Sequence, residues 1–221
     1  MSHWTPDSRA AAVDAILTRA PVLPVLSIDR LDDAVPLART LAQAGLPVLE
    51  VTLRTPVALD AIRAMVREVP DAVIGAGTVL TPSDLDAVHA AGAAFAISPG
   101  CTDALYAAAA RCATPFIPAI ASASEIMRGL DHGHRRFKFF PAVAAGGLGA
   151  LRGFAGPFAN VRFCPTGGVD AATAPQFLAL SNVITVGGSW MVPGTALAAR
   201  DFEAIGALAR AASALRAPAA G

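Results

Sequence analysis

A short apolar run followed by an amphipathic stretch recurs eight times along the 221 residues. The runs are VLPVLSI (22–28), VLEVTLR (48–54), VIGAGTV (73–79), AFAISPG (94–100), FIPAI (116–120), RFKFFPA (136–142), VRFCPTGG (161–168) and VITVGGSW (183–190). Their brevity and their Val, Ile and Phe content predict strands, with helices between them. LDDAVPLARTLAQAG carries apolar residues three and four apart and ends on Gly45 as a C-cap. TPVALDAIRAMVREV opens with Thr55 as N-cap and Pro56 at the first helical position. TPSDLDAVHAAG repeats that start and ends at Gly92, and SASE at 122–125 is a capping box. Eight β-then-α units with no linker predict a single (β/α)8 TIM barrel, one domain over 1–221. An open doubly wound sheet is the alternative, disfavoured because no glycine fingerprint follows the first run. Residues 1–20 stand before that run; an extra N-terminal helix over about 6–19 is expected to close the barrel bottom. Residues 217–221 are expected to fray.

In such a barrel the chemistry sits at the C-terminal ends of the strands. That rule selects Glu50 and Arg54, Thr78, Pro99, Lys138 and Phe140, Thr166 with Gly167 and Gly168, and Gly187 with Gly188 and Ser189. Side chains alternate along a strand, so Glu50, Thr52 and Arg54 share one face and Leu49, Val51 and Leu53 the other. The apolar face meets the helices, which turns Glu50 inward, where a carboxylate must be paired or used. The same alternation puts Lys138 with Arg136 and Phe140 inside, and Phe137 and Phe139 outside.

Lys138 is the only lysine; sixteen arginines supply the other cationic side chains. Arg stays protonated, whereas a desolvated Lys loses its proton and its free amine attacks carbonyls. A lone interior lysine therefore points to a Schiff base, with Glu50 shuttling protons and Arg54 and Thr78 offered to a substrate carboxylate. A structural Glu50–Lys138 or Glu50–Arg54 ion pair is the bland alternative. The TGG and GGS segments present backbone N–H groups at the two strand ends where barrels bind phosphate.

Composition narrows the partners. Net charge is zero with no basic stripe, which excludes nucleic acid. Residues 171–199 lack Asp, Glu, Lys and Arg, long enough to span a bilayer. Pro175, Gln176, Asn182, Gly187, Gly188, Pro193 and Gly194 break that run into helix, turn, strand and loop, so no membrane partner is expected. Cys101, Cys112 and Cys164 fit neither a zinc site nor a disulfide framework, and the N-terminus does not read as a secretory signal; a reducing, cytoplasmic setting follows. His132 and His134 in DHGH read as a solvated turn at the barrel bottom, not a metal site. His89 in a helix and His3 in a tail tie to no site. Cys164 reads as a small core residue, GGLGAL (146–151) as a loop entering a helix, and Arg136 and Arg162 as a polar layer low in the barrel.

VLEVTLRT, GAGTVL, FAISPG, RFKFFPA, VRFCPTGG and GGSWMVP, in order between about residues 20 and 200, resemble the 2-keto-3-deoxy-6-phosphogluconate (KDPG) and 4-hydroxy-2-oxoglutarate (KHG) aldolases. The resemblance implies a class I aldolase on a (β/α)8 barrel, a cytoplasmic homotrimer of the Entner–Doudoroff pathway without metal or other cofactor. It implies cleavage of the phosphorylated keto acid to pyruvate and D-glyceraldehyde 3-phosphate. By motif position Lys138 resembles the Schiff-base lysine and Glu50 the acid/base. Arg54 and Thr78 resemble the carboxylate contacts, with Pro99 among the pyruvate-binding residues and Phe140 beside the imine. Thr166, Gly167, Gly168, Gly188 and Ser189 resemble the phosphate and substrate contacts. The hydroxyl of Thr166 favours the gluconate over the galactonate substrate. Ala119 and Ala121 in PAIA, where the family often has PGIS, and PAVAAGG in place of PAEANGG are departures that bear on fine preference. Two other readings compete: an isomerase or epimerase using Glu50 as base, and a phospho-ligand-binding barrel without chemistry.

Overall fold

The computed structural model describes residues 4–215. Its elements run α1 (Pro6–Leu17), β1 (Val22–Leu26), α2 (Leu31–Gln43), β2 (Val48–Thr52), α3 (Ala58–Glu68), β3 (Val73–Gly77), α4 (Pro82–Ala90), β4 (Ala96–Ile97) and α5 (Asp103–Arg111). They continue with β5 (Phe116–Ile117), β6 (Ala119–Ile120), α6 (Ala123–Asp131), β7 (Arg136–Phe139), α7 (Gly147–Ala155), β8 (Arg162–Pro165), α8 (Ala174–Leu178), β9 (Val186–Gly188), α9 (Gly194–Ala198) and α10 (Phe202–Ser213). His3 and the tail from 217 lie outside the described residues.

The fold is α/β with a curled parallel sheet. Six strands pair in the order β5-β4-β3-β2-β1-β9 and three in the order β6-β7-β8. Isolated parallel bridges, Phe163↔Val183 and Thr166↔Gly187, tie the end of the second set to the segment around β9. The expectation of eight strands is corrected to nine among the described residues. The run FIPAI splits at Pro118, which has no N–H to donate; β5 pairs with β4 and β6 with β7. The other runs keep their places but shorten, so Arg54 lies in a turn beyond β2.

Two apolar clusters follow the alternation. Leu49 and Val51 of β2, Phe137 and Phe139 of β7 and Phe163 of β8 pack with helix residues such as Leu37, Ile62 and Leu151. On the opposite face Leu23, Val48, Phe95, Ile97, Ile117 and Cys164 enclose Val13, Ile16 and Leu17 of α1. That helix thus covers the inward side chains of the sheet from below. Asp14 of α1 accepts two 2.6 Å hydrogen bonds from Arg136, the register partner of Arg162, which forms the low polar layer.

Side-chain caps account for half of the described helix starts. Thr5, Thr81 and Ser122 each head a capping box. α3 departs from its expectation: it starts at Ala58, behind Val57, not at Pro56 behind Thr55. The Thr55 hydroxyl instead donates to the Ile28 carbonyl at 2.6 Å, tying the loop after β2 to the loop after β1. The uncharged stretch 171–199 forms α8, β9 and α9, and no described helix is long and apolar enough to cross a membrane.

Candidate active site

Glu50 sits at the centre of β2, between Val25 of β1 and Gly75 of β3. Lys138 sits on β7, between Ala119 of β6 and Cys164 of β8. Both point inward and meet: Lys138 Nζ donates to Glu50 Oε1 at 2.8 Å. Glu50 is fully buried and Lys138 is 4% exposed, so this is a desolvated ion pair. The second oxygen, Oε2, is buried with no hydrogen-bond partner. A buried pair is weak evidence for stability, and an unsatisfied carboxylate oxygen beside it adds cost. The pair places an amine against a carboxylate that keeps one oxygen unbonded.

Glycines make room for these groups. A Cβ at Gly77 would collide with the Glu50 carboxylate, and one at Gly187 with the Thr166 hydroxyl. Sequence reasoning did not assign Gly77 a part; its signal was the alternation of Gly75 and Gly77 in VIGAGTV on the face shared with Glu50. Thr52 was likewise passed over: it is buried, and its hydroxyl donates to the Leu26 carbonyl at 2.8 Å.

Of the remaining sequence-selected residues, Phe140 stands against the Lys138–Glu50 pair, whereas Arg54 and Ser189 line a cavity whose walls do not include Lys138 or Glu50. The Phe140 ring centroid is 5.3 Å from Lys138 Nζ. Thr166 is buried at the end of β8, its Oγ1 3.8 Å from Cys164 Sγ. Gly167 and Gly168 follow with φ of +98° and +79°, a left-handed pair that favours glycine. Gly188 is buried beneath Trp190, and Ser189 is exposed. Arg54 and Ser189 line one cavity of about 410 Å³ at the ends of β1, β2 and β9, with Thr52, Ser27 and Arg30. Thr78 and Pro99, both half-buried, stand just past β3 and β4, without a hydrogen bond to the ion pair. Thr78 holds φ of +60°, an outlier for a β-branched residue. Glu50 bonds Lys138 and not Arg54, which removes one of the two bland pairings.

Burial pushes the Cys164 thiol up to about 12 against the opposing Lys138 charge, so it stays protonated as a small core residue. The solvated-turn reading of DHGH is corrected. His132 is exposed and stacks on Tyr106 at 4.4 Å, but His134 is 1% exposed, between Tyr106 and Phe116. Burial first, then the Arg9 and His132 charges, push His134 down to about 3. Among the described residues no three His, Cys, Asp or Glu side chains gather as a metal site.

The model of the family described as KDPG and KHG aldolase matches residues 13–208. The KHG/KDPG aldolase of Escherichia coli (strain K12) is 53% identical over 210 residues, 95% of this chain and 96% of that one. Among solved structures, KDPG aldolase from Legionella pneumophila, with pyruvate captured as a covalent carbinolamine intermediate, superposes with a TM-score of 0.89. It is 48% identical, over 91% of this chain and 98% of that one. The Zymomonas mobilis ZM4 enzyme with 3-phosphoglycerate gives the same TM-score at 47% identity, over 95% and 98%.

Proposed function

Since the chain belongs to the KDPG and KHG aldolase family, we propose that it is a class I aldolase cleaving 2-dehydro-3-deoxy-6-phospho-D-gluconate reversibly to pyruvate and D-glyceraldehyde 3-phosphate. It acts also on 4-hydroxy-2-oxoglutarate. The observation that carries the reading is the buried 2.8 Å contact between Lys138 and Glu50, with one carboxylate oxygen left free.

The steps follow from that contact. Lys138 Nζ passes a proton to Glu50 and attacks the C2 carbonyl, giving a carbinolamine. Loss of water leaves a protonated imine. Glu50, again a carboxylate, takes the proton of the C4 hydroxyl; the C3–C4 bond breaks, its electron pair flows to the iminium nitrogen, and the aldehyde leaves. The enamine takes a proton at C3 from the Glu50 acid, and water hydrolyses the pyruvate imine. One residue thus serves as base and then acid, which needs it within reach of both nitrogen and substrate.

Arg54 and Thr78 hold the pyruvate carboxylate, Pro99 lies in the same pyruvate-binding set, Phe140 packs beside the imine, and Thr166 meets the hydroxylated middle of the substrate. Backbone N–H groups of Gly167, Gly168 and Gly188, with the Ser189 hydroxyl, take the phosphate. In this reading the two hydrogen-bonded sets and the bridges between them form one closed (β/α)8 barrel with α1 as an added floor, one domain over 1–221. The assembly is a cytoplasmic homotrimer needing no metal or cofactor beyond the imine on Lys138.

Borohydride added with pyruvate should fix a covalent adduct on Lys138, located by peptide mass spectrometry. An unmodified lysine under conditions of turnover would sink the proposal.

A further inference from the structure

The cavity that holds Arg54 and Ser189 has a second cationic wall. Its lining includes Arg30, with Asp29 and Asp33, in the loop and first turn between β1 and α2. The register pairs Pro24 with Gly188, so the loop after β1 runs beside the loop after β9 that carries Ser189. Arg30 occupies the N-cap of α2 with extended backbone and makes no side-chain cap bond.

Asp33 organises this wall. Its carboxylate is buried, 3.8 Å from Arg30 Nε on one oxygen and 3.2 Å from Arg200 Nε on the other. Asp33 thus stands beside two guanidinium groups, in ion-pair range of Arg30 Nε, while its buried Oδ1 makes no hydrogen bond. The terminal nitrogens of Arg30 have no hydrogen-bond partner among the described residues, and its side chain is 59% exposed. Asp29, the other acid on the wall, is exposed to solvent screening.

We propose that Arg30 contacts the distal phosphate of the substrate and selects for it, with Asp33 as its positioning residue. The inference rests on the aldolase reading and deepens it. A substrate held at Arg54 by its carboxylate and at Ser189 by its phosphate spans the cavity, and Arg30 is the remaining arginine along it. A guanidinium offers two parallel N–H groups to a phosphate. The distal carboxylate of 4-hydroxy-2-oxoglutarate ends three bonds short of the phosphorus position, so it does not reach this wall.

The test is steady-state kinetics of Arg30→Gln and Asp33→Asn on both substrates, beside borohydride trapping of pyruvate. For Arg30→Gln, KM for the phosphorylated substrate should rise about tenfold with kcat nearly constant. KM for 4-hydroxy-2-oxoglutarate should change by less than about threefold. Arg30→Lys should recover part of the loss, and Asp33→Asn should shift the same KM in the same direction. Equal rises for the two substrates, or a phosphorylated-substrate KM within about twofold of the parent, would overturn the proposal. Failure of the unaltered enzyme to trap pyruvate would instead strike the aldolase reading, which keeps the two apart.

Discussion

Lys138→Arg keeps a cation beside Glu50 and removes the amine that can attack a carbonyl. Turnover should fall by about a thousandfold or more, read as pyruvate release. Stability separates chemistry from scaffolding at the same position. Glu50→Leu alone strands a buried ammonium and should cost about 3–5 kcal/mol in urea melts. The double variant Glu50→Leu with Lys138→Met should recover most of that loss while remaining inactive, since an apolar pair of similar volume is tolerated where half an ion pair is not. A double variant no more stable than the single would mean that the pair is kept for the fold. The inward direction of both residues was legible in the sequence, because alternation on two strands set it, and a lone lysine among arginines suggested the chemistry proposed for them. The left-handed backbone of Thr78 was not legible, since a β-branched residue carries no signal for it. Nor was the burial of His134, which depends on Tyr106 and Phe116 arriving from other units.

Among the elements, α1 contributes Val13, Ile16 and Leu17 to the inward cluster. Leu17→Ala should cost about 2–5 kcal/mol, measured by denaturant unfolding, with little change in the chemical steps. His134 gives the fold an acid limit. An unfolded chain protonates this ring near its ordinary 6.5, and the folded chain refuses the proton until about 3. The contribution is whole above that window and is lost as pH falls through it, at up to about 1.4 kcal/mol per pH unit. Stability curves between pH 7 and 4 should flatten in His134→Leu. Helix starts were readable where hydroxyl and acid lie three apart, as at Thr81 and Ser122. The start of α3 was not, because the Thr55 hydroxyl had a stronger claim from a carbonyl 27 residues earlier in the chain.

For the molecule as a whole, the eightfold rhythm made the parallel α/β plan readable. The division of FIPAI between two sets of strands was not, because it follows from which neighbours each half meets. Light scattering of the purified protein should return the mass of three chains, and a single-chain mass would remove the trimer from the proposal. The pairing of β1 with β9, Val22 against Val186, has a consequence for how the protein is made. This strand leaves the ribosome with one edge whose partner is translated about 160 residues later. At ordinary synthesis speed that edge waits on the order of ten seconds. During that wait it is a template for any extended chain nearby. A message cut short before the codon for Val186 would therefore yield a product with a permanently open edge on β1, suited to self-association and to capture by chaperones.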